Sequence, residues 1–302
     1  MSRLENFGDL FKYSKELLDD DFNAGQQLVM KTKSRSEDGT SELSSTLKHS
    51  TPDNSGESKV AFEAKLKSTV KGDSHELGVK QDGNCTWEMK GNQLQTYQKG
   101  LQYIVNTTTQ AIPSGSVPVI KAGLEFNNSQ AKAKLLFNLR SLALEHNLTY
   151  LARSNLIVGY NLLLDSRTQN LEKYDFGLSW ETAPACYLGL KHESNSKNQL
   201  QVGNVFLYFH HIATLTQTVG TEFALDYQKK LLTARFGYSH KFNDDSSAKF
   251  RVNHHGFLDA TFKHRVSSSL TLGVVSGFNL KAAVAEQKSK NLPFGLQFDF
   301  KF

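Results

Sequence analysis

The sequence predicts an all-β chain, a transmembrane β-barrel of about 19 strands with an N-terminal amphipathic helix inside its lumen. Three observations carry this expectation. Apolar and polar residues alternate strictly along one segment after another, the signature of half-buried strands. Charges fill the polar face of those segments from end to end. No stretch of the 302 residues approaches the roughly 18 consecutive apolar residues of a membrane helix.

The helix comes first. In "DLFKYSKELLDD", Leu10, Tyr13 and Leu17 share a face with Phe11 and Leu18 beside it, and Lys12, Lys15, Glu16 and Asp19 lie opposite. Asp9 is placed to cap its start. The run Asp19-Asp20-Asp21 suits a helix C-terminus badly, because the dipole there favours cations. It marks the exit, and Gly25 lets the chain turn. Residues 1–23 are therefore read as helix and linker, and 24–302 as the barrel.

Period two then takes over. Val60, Phe62, Ala64 and Leu66 alternate with Ala61, Glu63, Lys65 and Lys67. Ile120, Ala122, Leu124 and Phe126 alternate with Lys121, Gly123 and Glu125. Ala133, Leu135, Phe137 and Leu139 alternate with Lys134, Asn138 and Arg140. Phe176, Leu178 and Trp180, and later Ala248, Phe250 and Val252, repeat the pattern. The last segment sets Phe294, Leu296, Phe298, Phe300 and Phe302 against Gly295, Gln297, Asp299 and Lys301. Turn clusters such as "KGDS", "FNNSQ" and "FNDDSS" separate the runs. Past the N-terminal segment about 280 residues remain, and a spanning strand of ~9–11 residues with its turn uses about 15, giving roughly 19 strands in one domain.

Composition fits. Mean hydropathy is only −0.44, but a lumen-facing polar residue cancels each lipid-facing apolar one in such a barrel. The chain has 5 Pro beside 21 Gly and 20 Phe, which favours long strands with tight turns over disorder. A soluble sandwich would have to bury Lys65, Lys67, Lys132, Lys134, Arg140, Lys249 and Arg251 unpaired, at several kcal/mol each. A closed barrel in lipid gives those charges water and each large apolar side chain roughly 1.5–3 kcal/mol of burial. Sixteen or more strands leave an aqueous channel. The terminal strand ending in Phe302 can sit in the aromatic girdle at the membrane boundary while pairing with the first, around "GQQLVMKTK".

Other chemistry is poorly represented. Cys85 and Cys186 make no disulfide framework and have no ligand-spaced neighbours. His210-His211 and His254-His255, placed on strands, would point to opposite faces, so no metal site is expected. No nucleophile elbow, P-loop or dinucleotide fingerprint occurs, so neither an enzyme nor a cofactor is expected. The pairs Gly123-Leu124, Gly177-Leu178 and Gly189-Leu190 fit strand curvature or close packing. The N-terminus lacks a secretory h-region, so the sequons at Asn84, Asn106, Asn127 and Asn147 carry no weight. The net charge of +5 is spread over the whole chain, which argues against nucleic acid as a partner.

Stretches at both ends of the chain resemble the voltage-dependent anion channels, or mitochondrial porins. "FGDLFKYSKELLDDDFNAGQQLVMKTKS" is similar to that family's helix, linker and first strand, and "LVMKTKS" is its most specific part. "KFRVNHHGFLDATFKHRVSSSLTLGVVSGFNL" and the chain end resemble its last hairpins and final strand. The resemblance implies 19 strands, hence a parallel pairing of first and last, and a place in the mitochondrial outer membrane. Gly295, Phe298 and Phe300 resemble the sorting signal of mitochondrial barrels, although Pro293 stands where a polar residue is usual. The linker holds only Gly25 where the family has several glycines.

The pore reading then names residues. Lys31, Lys33, Lys65, Lys67, Lys132, Lys134, Arg140, Arg235, Lys249, Arg251 and Lys263 fall on the polar face, opposed by Glu63, Glu125, Asp175 and Asp259. The basic excess predicts a mild preference for small anions, phosphate and nucleotides included. The helix would rest on the wall through Leu10, Tyr13 and Leu17, with Lys12 and Lys15 toward the water path, as a voltage-sensitive gate or a static plug. Membrane lipid is the surrounding partner, and a homo-oligomer or larger membrane assembly is a further one. Competing readings are a structural or docking subunit, a protein-import pore with a longer N-terminal extension and a more acidic lumen, and a soluble lipid-binding β protein.

Overall fold

The computed structural model describes residues 5–22, 26–50, 59–112, 115–194, 202–279 and 294–302. Gly25 and Pro293, both singled out in the sequence, lie outside them. Strands fill most of this length. They are β1 (Gln26–Arg35), β2 (Ser41–Ser50), β3 (Val60–Val70), β4 (Asp73–Lys80), β5 (Cys85–Gly91) and β6 (Leu101–Ile112). Next come β7 (Gly115–Asn127), β8 (Ala131–Asn138), β9 (Ala143–Arg153), β10 (Leu156–Asp165), β11 (Asn170–Ala183) and β12 (Cys186–Ser194). The last are β13 (Val202–Ile212), β14 (Gln217–Asp226), β15 (Leu231–Lys241), β16 (Ser246–Asn253), β17 (Phe257–Arg265), β18 (Leu270–Asn279) and β19 (Phe294–Lys301).

Each strand pairs antiparallel with its sequence neighbours, and β1 also pairs in parallel with β19, so the 19-stranded sheet closes on itself. Its register runs from Leu28↔Leu296 to Lys33↔Lys301. Phe302 extends the seam, its N–H donating to the Lys33 carbonyl at 2.8 Å while its own carbonyl accepts from Arg35 N at 3.3 Å. Closure leaves no unpaired edge, which a sheet in hydrocarbon requires.

The alternation sorts side chains by face. Partners across each ladder point the same way, so the register carries one face around the ring. Phe62, Leu66, Leu77, Trp87, Leu124, Leu135, Phe176, Trp180, Leu190, Leu207, Phe223, Phe236, Phe250 and Phe262 all stand exposed on the outside. The last strand continues this face, with Leu296, Phe298 and Phe300 beside Leu28, Met30 and Thr32. Tight turns keep the rhythm. Between β3 and β4 the pair Lys71-Gly72 adopts φ of 51° and 90°, the left-handed pair that a two-residue hairpin demands.

Inside, a single turn of 3-10 helix (Phe7–Asp9) leads into α1 (Lys12–Leu18). The helix is shorter than its periodicity suggests, and Asp9 does not cap it: Phe11 occupies the N-cap position, with no side-chain hydrogen bond. Seven residues are too few for a helix stable by itself, so packing on the wall must hold it. Among the described residues no helix is long and apolar enough to cross a membrane.

Candidate pore lining and the docked helix

A row of inward glycines makes room for the helix. Gly159 (β10), Gly177 (β11), Gly189 (β12), Gly220 (β14) and Gly237 (β15) all face the lumen, with Gly159 opposite Gly177 and Gly220 opposite Gly237. A Cβ at Gly189 would stand 2.7 Å from the Phe11 ring, at Gly177 2.9 Å from Phe7, and at Gly220 and Gly237 2.8 Å from Leu17 and Leu18. On the intervening strand Tyr208 stacks on Phe11 with centroids 4.8 Å apart. Of the two roles the sequence offered for Gly177 and Gly189, curvature or close packing, close packing is what they serve here: they belong to the floor of a groove, and the N-terminal side chains fill it.

The buried face of the N-terminal segment is rotated from the expected one. Phe7, Phe11, Ser14, Leu17 and Leu18 are buried. Of the predicted set Leu17 is buried and Leu10 half-buried, whereas Tyr13 is 57% exposed and stacks beside Tyr187 at 6.3 Å. Counting apolar residues centred the face on Leu10 and Tyr13, but the glycine groove admits Phe11 most deeply. Lys12 is exposed and Lys15 half-buried, with Lys12 reaching Glu16 at 3.7 Å.

The acidic run meets cations from the wall. Arg235 contacts Asp19 at 2.5 Å, and Asp21 is held by Lys263 at 2.5 Å and Lys249 at 3.0 Å, one lysine on each carboxylate oxygen. Arg251 donates to the Leu18 carbonyl at 2.7 Å, and Lys249 to that of Glu16 at 3.1 Å, so wall cations also satisfy the helix C-terminus. Thr261 Oγ1 donates to the Asp21 carbonyl, and Arg251 lies 4.6 Å from the Phe22 ring centre. Burial alone would raise the Asp21 carboxyl, but Lys263 and Lys249 outweigh it and hold the group below its ordinary 3.8.

Two of these cations are themselves oriented. Arg235 gives its Nε and Nη2 to Glu222 at 2.9 and 2.7 Å, leaving Nη1 for Asp19. Arg251 gives Nε and Nη2 to Asp259, leaving Nη1 for Leu18. Glu222 and Asp259 are buried, so each guanidinium sits in a fixed fork.

On the rest of the ring, Lys31 and Lys33 (β1), Lys65 and Lys67 (β3), and Lys132 and Lys134 (β8) lie on the inward face by register. Lys33 pairs with Glu42 at 3.0 Å, Lys65 with Glu63 at 3.3 Å, and Lys132 approaches Glu125 at 3.8 Å, where Lys90 is closer at 2.9 Å. Among the described residues Lys31, Lys67 and Lys134 form no ion pair within 4 Å, unlike the four cations under the helix. Arg140 corrects the sequence reading: β8 ends at Asn138, whose side chain accepts from the Arg140 N–H in the following turn, so Arg140 sits at the rim. The polar alternation ran on past the last ladder pair because nothing local marks where pairing stops. Sequence reasoning also missed Glu42, Glu145 and Glu222, whose partners come from neighbouring strands.

The histidine pairs divide. His210 points inward and is buried, while His211 follows on the opposite face. His254 and His255 lie in the β16–β17 turn rather than on a strand, with ring centres 3.7 Å apart. The described residues contain no cluster of three metal-ligating side chains.

A closed ring of membrane-spanning strands, apolar outside and charged within, with its own N-terminal segment laid along the inner wall, defines a porin-type barrel. The family model for eukaryotic porins matches residues 5–290, and the chain belongs to that family, one of channels rather than enzymes. It is 28% identical over 156 residues to mitochondrial outer membrane protein porin 4 of rice (Oryza sativa subsp. japonica). That match covers 50% of this chain and 47% of the relative, so the chain spans about half the length of the curated relative it matches. A triple mutant of Rhodopseudomonas blastica porin overlays with a TM-score of 0.47 at 6% identity, covering 74% of this chain and 87% of that one. A structure described as asymmetric conductivity of engineered proteins gives 0.49 at 7% identity, covering 83% and 94%.

Proposed function

We propose that this porin sits in the mitochondrial outer membrane and passes small anions and metabolites, phosphate and nucleotides among them, by diffusion with a mild preference for anions. Family membership and the rice relative support the location. The observation that carries the selectivity is that several inward lysines, Lys31, Lys67 and Lys134 among them, form no ion pair within 4 Å among the described residues. A wide pore discriminates through the field of its lining, and a cation matched by a neighbouring carboxylate adds little to that field. Arg235, Lys249, Arg251 and Lys263 are spent on the helix and are assigned no direct part in selectivity.

The test is single-channel recording of the refolded protein in a planar bilayer, with the reversal potential read under a KCl gradient. Large steps with a reversal potential of the anion sign are expected, and the triple change of Lys31, Lys67 and Lys134 to Gln should move it toward zero. Cation preference in the unmodified protein would refute the assignment. Folded, inserted protein without steps would favour a barrel that serves as a docking subunit of a larger assembly.

A further inference from the structure

The wall under the end of the helix has the makings of an anion site. Arg235, Lys249, Arg251 and Lys263 converge from three adjacent strands, β15, β16 and β17, and Thr261 adds a hydroxyl. Glu222 and Asp259 hold the two guanidinium groups side-on, so that each directs its Nη1 to one place. Fixed forks of this kind match the oxygens of carboxylates and phosphates. What occupies the place is the chain itself. Asp19 and Asp21 supply carboxylate oxygens, and Leu18, Glu16 and Asp21 supply carbonyls.

Charge accounts for the arrangement. With the helix docked, the four cations face four carboxylates, Asp19, Asp21, Glu222 and Asp259. With it withdrawn, the wall keeps only Glu222 and Asp259, and a pocket of excess positive charge opens. The acidic run, otherwise unfavourable at a helix C-terminus, is explained as a built-in occupant of that pocket. The apolar contacts over the glycine groove place it there.

We propose that Arg235, Lys249, Arg251 and Lys263 form a binding site for a polyphosphate anion, which Asp19 and Asp21 fill in the docked state and for which a phosphate-bearing solute in the lumen competes. The helix end is then an internal competitor. Solutes carrying several phosphate charges displace it, and monovalent anions do not, because one charge cannot bridge the two arginines and two lysines. The inference rests on the reading of the lumen as a water-filled path open to such solutes.

The test is hydrogen exchange at the backbone amides of residues 7–22 in the full-length protein in phosphate-free nanodiscs of uncharged synthetic lipid. Inorganic tripolyphosphate is titrated against KCl at equal ionic strength, because salt screens ion pairs generally. Tripolyphosphate at ten times its dissociation constant for the vacated site, measured on the Asp19→Asn, Asp21→Asn protein, should speed exchange about tenfold, and KCl should not. The double change Asp19→Asn with Asp21→Asn should exchange fast from the start and bind tripolyphosphate more tightly than the unmodified protein. Lys249→Gln with Lys263→Gln should abolish the tripolyphosphate effect. Equal responses to tripolyphosphate and KCl in the unmodified protein would overturn the proposal, whatever the variants do. Conductance is recorded separately: steps without the exchange effect sink the site and leave the pore, whereas the exchange effect without steps keeps the site and sinks the pore.

Discussion

The wall from β9 to β17 and the wall from β1 to β8 obey the same alternation and use their inward positions for opposite ends. Under the helix the inward residues are glycines and matched charges, Gly177, Gly189, Gly220, Gly237, Arg235 with Glu222 and Arg251 with Asp259. On the other side they include long polar side chains with no ion pair within 4 Å among the described residues, Lys31, Lys67 and Lys134 among them. A strand pattern therefore tells which residues face the lumen but not whether they meet water or another part of the chain. The second question is settled by what the N-terminal segment covers.

The comparison breaks most readily at Phe11. Changing Phe11→Ala removes the ring that fills the groove at Gly189 and stacks on Tyr208, and such core truncations cost about 3–5 kcal/mol. The same change at the outward Phe250 should cost the helix nothing. Amide exchange over residues 12–18 should therefore rise at least about a hundredfold for the first and stay level for the second. The complementary change Gly189→Val narrows the groove instead, and overpacking of about 1–3 kcal/mol predicts a smaller rise.

Acid provides a milder break. Asp21 has its carboxyl held below 3.8 by Lys263 and Lys249 against the opposing effect of burial. A lowered folded value means that its contribution is present above 3.8 and is lost as pH falls through the folded value. Helix protection should stay flat from neutrality to about pH 4 and fall only below it. Loss of protection between pH 5 and 7 would show that another group controls docking.

The smallest effect sharpens the account of the open wall. Lys134→Gln should shift the reversal potential measurably, whereas Arg140→Gln, at the rim, should leave it near the unmodified value. Equal shifts for the two would mean that the mouth rather than the lumen sets the preference.

Much of this was legible in the sequence because β alternation is local. Phe62, Leu66, Phe176, Trp180 and Phe250 could be assigned to the outer face from their own neighbours alone. Arg140 could not, because a strand end depends on where the partner ladder stops. Glu222 and Asp259 could not be matched to Arg235 and Arg251, since register between strands is not written in either strand singly. The helix face was misjudged at Tyr13 for a related reason: the groove that receives Phe7, Phe11, Leu17 and Leu18 is assembled from glycines on five strands spread over about eighty residues. The parallel seam entered through family resemblance, because alternation carries no information on the parity of the strand count.

That seam has a consequence for how the cylinder is made. Every other pair of neighbouring strands is adjacent in sequence, so each can form as its hairpin folds, whereas Leu28 must find Leu296 across nearly the whole chain. Contacts of such long range carry the largest closure entropy and form late. Parallel hydrogen bonds are also slightly weaker per residue than antiparallel ones. Until β1 and β19 meet, two bare edges face hydrocarbon, and whatever inserts the chain has to shield both at once. In the finished protein the same line is where the staves of the barrel would first part under lateral strain.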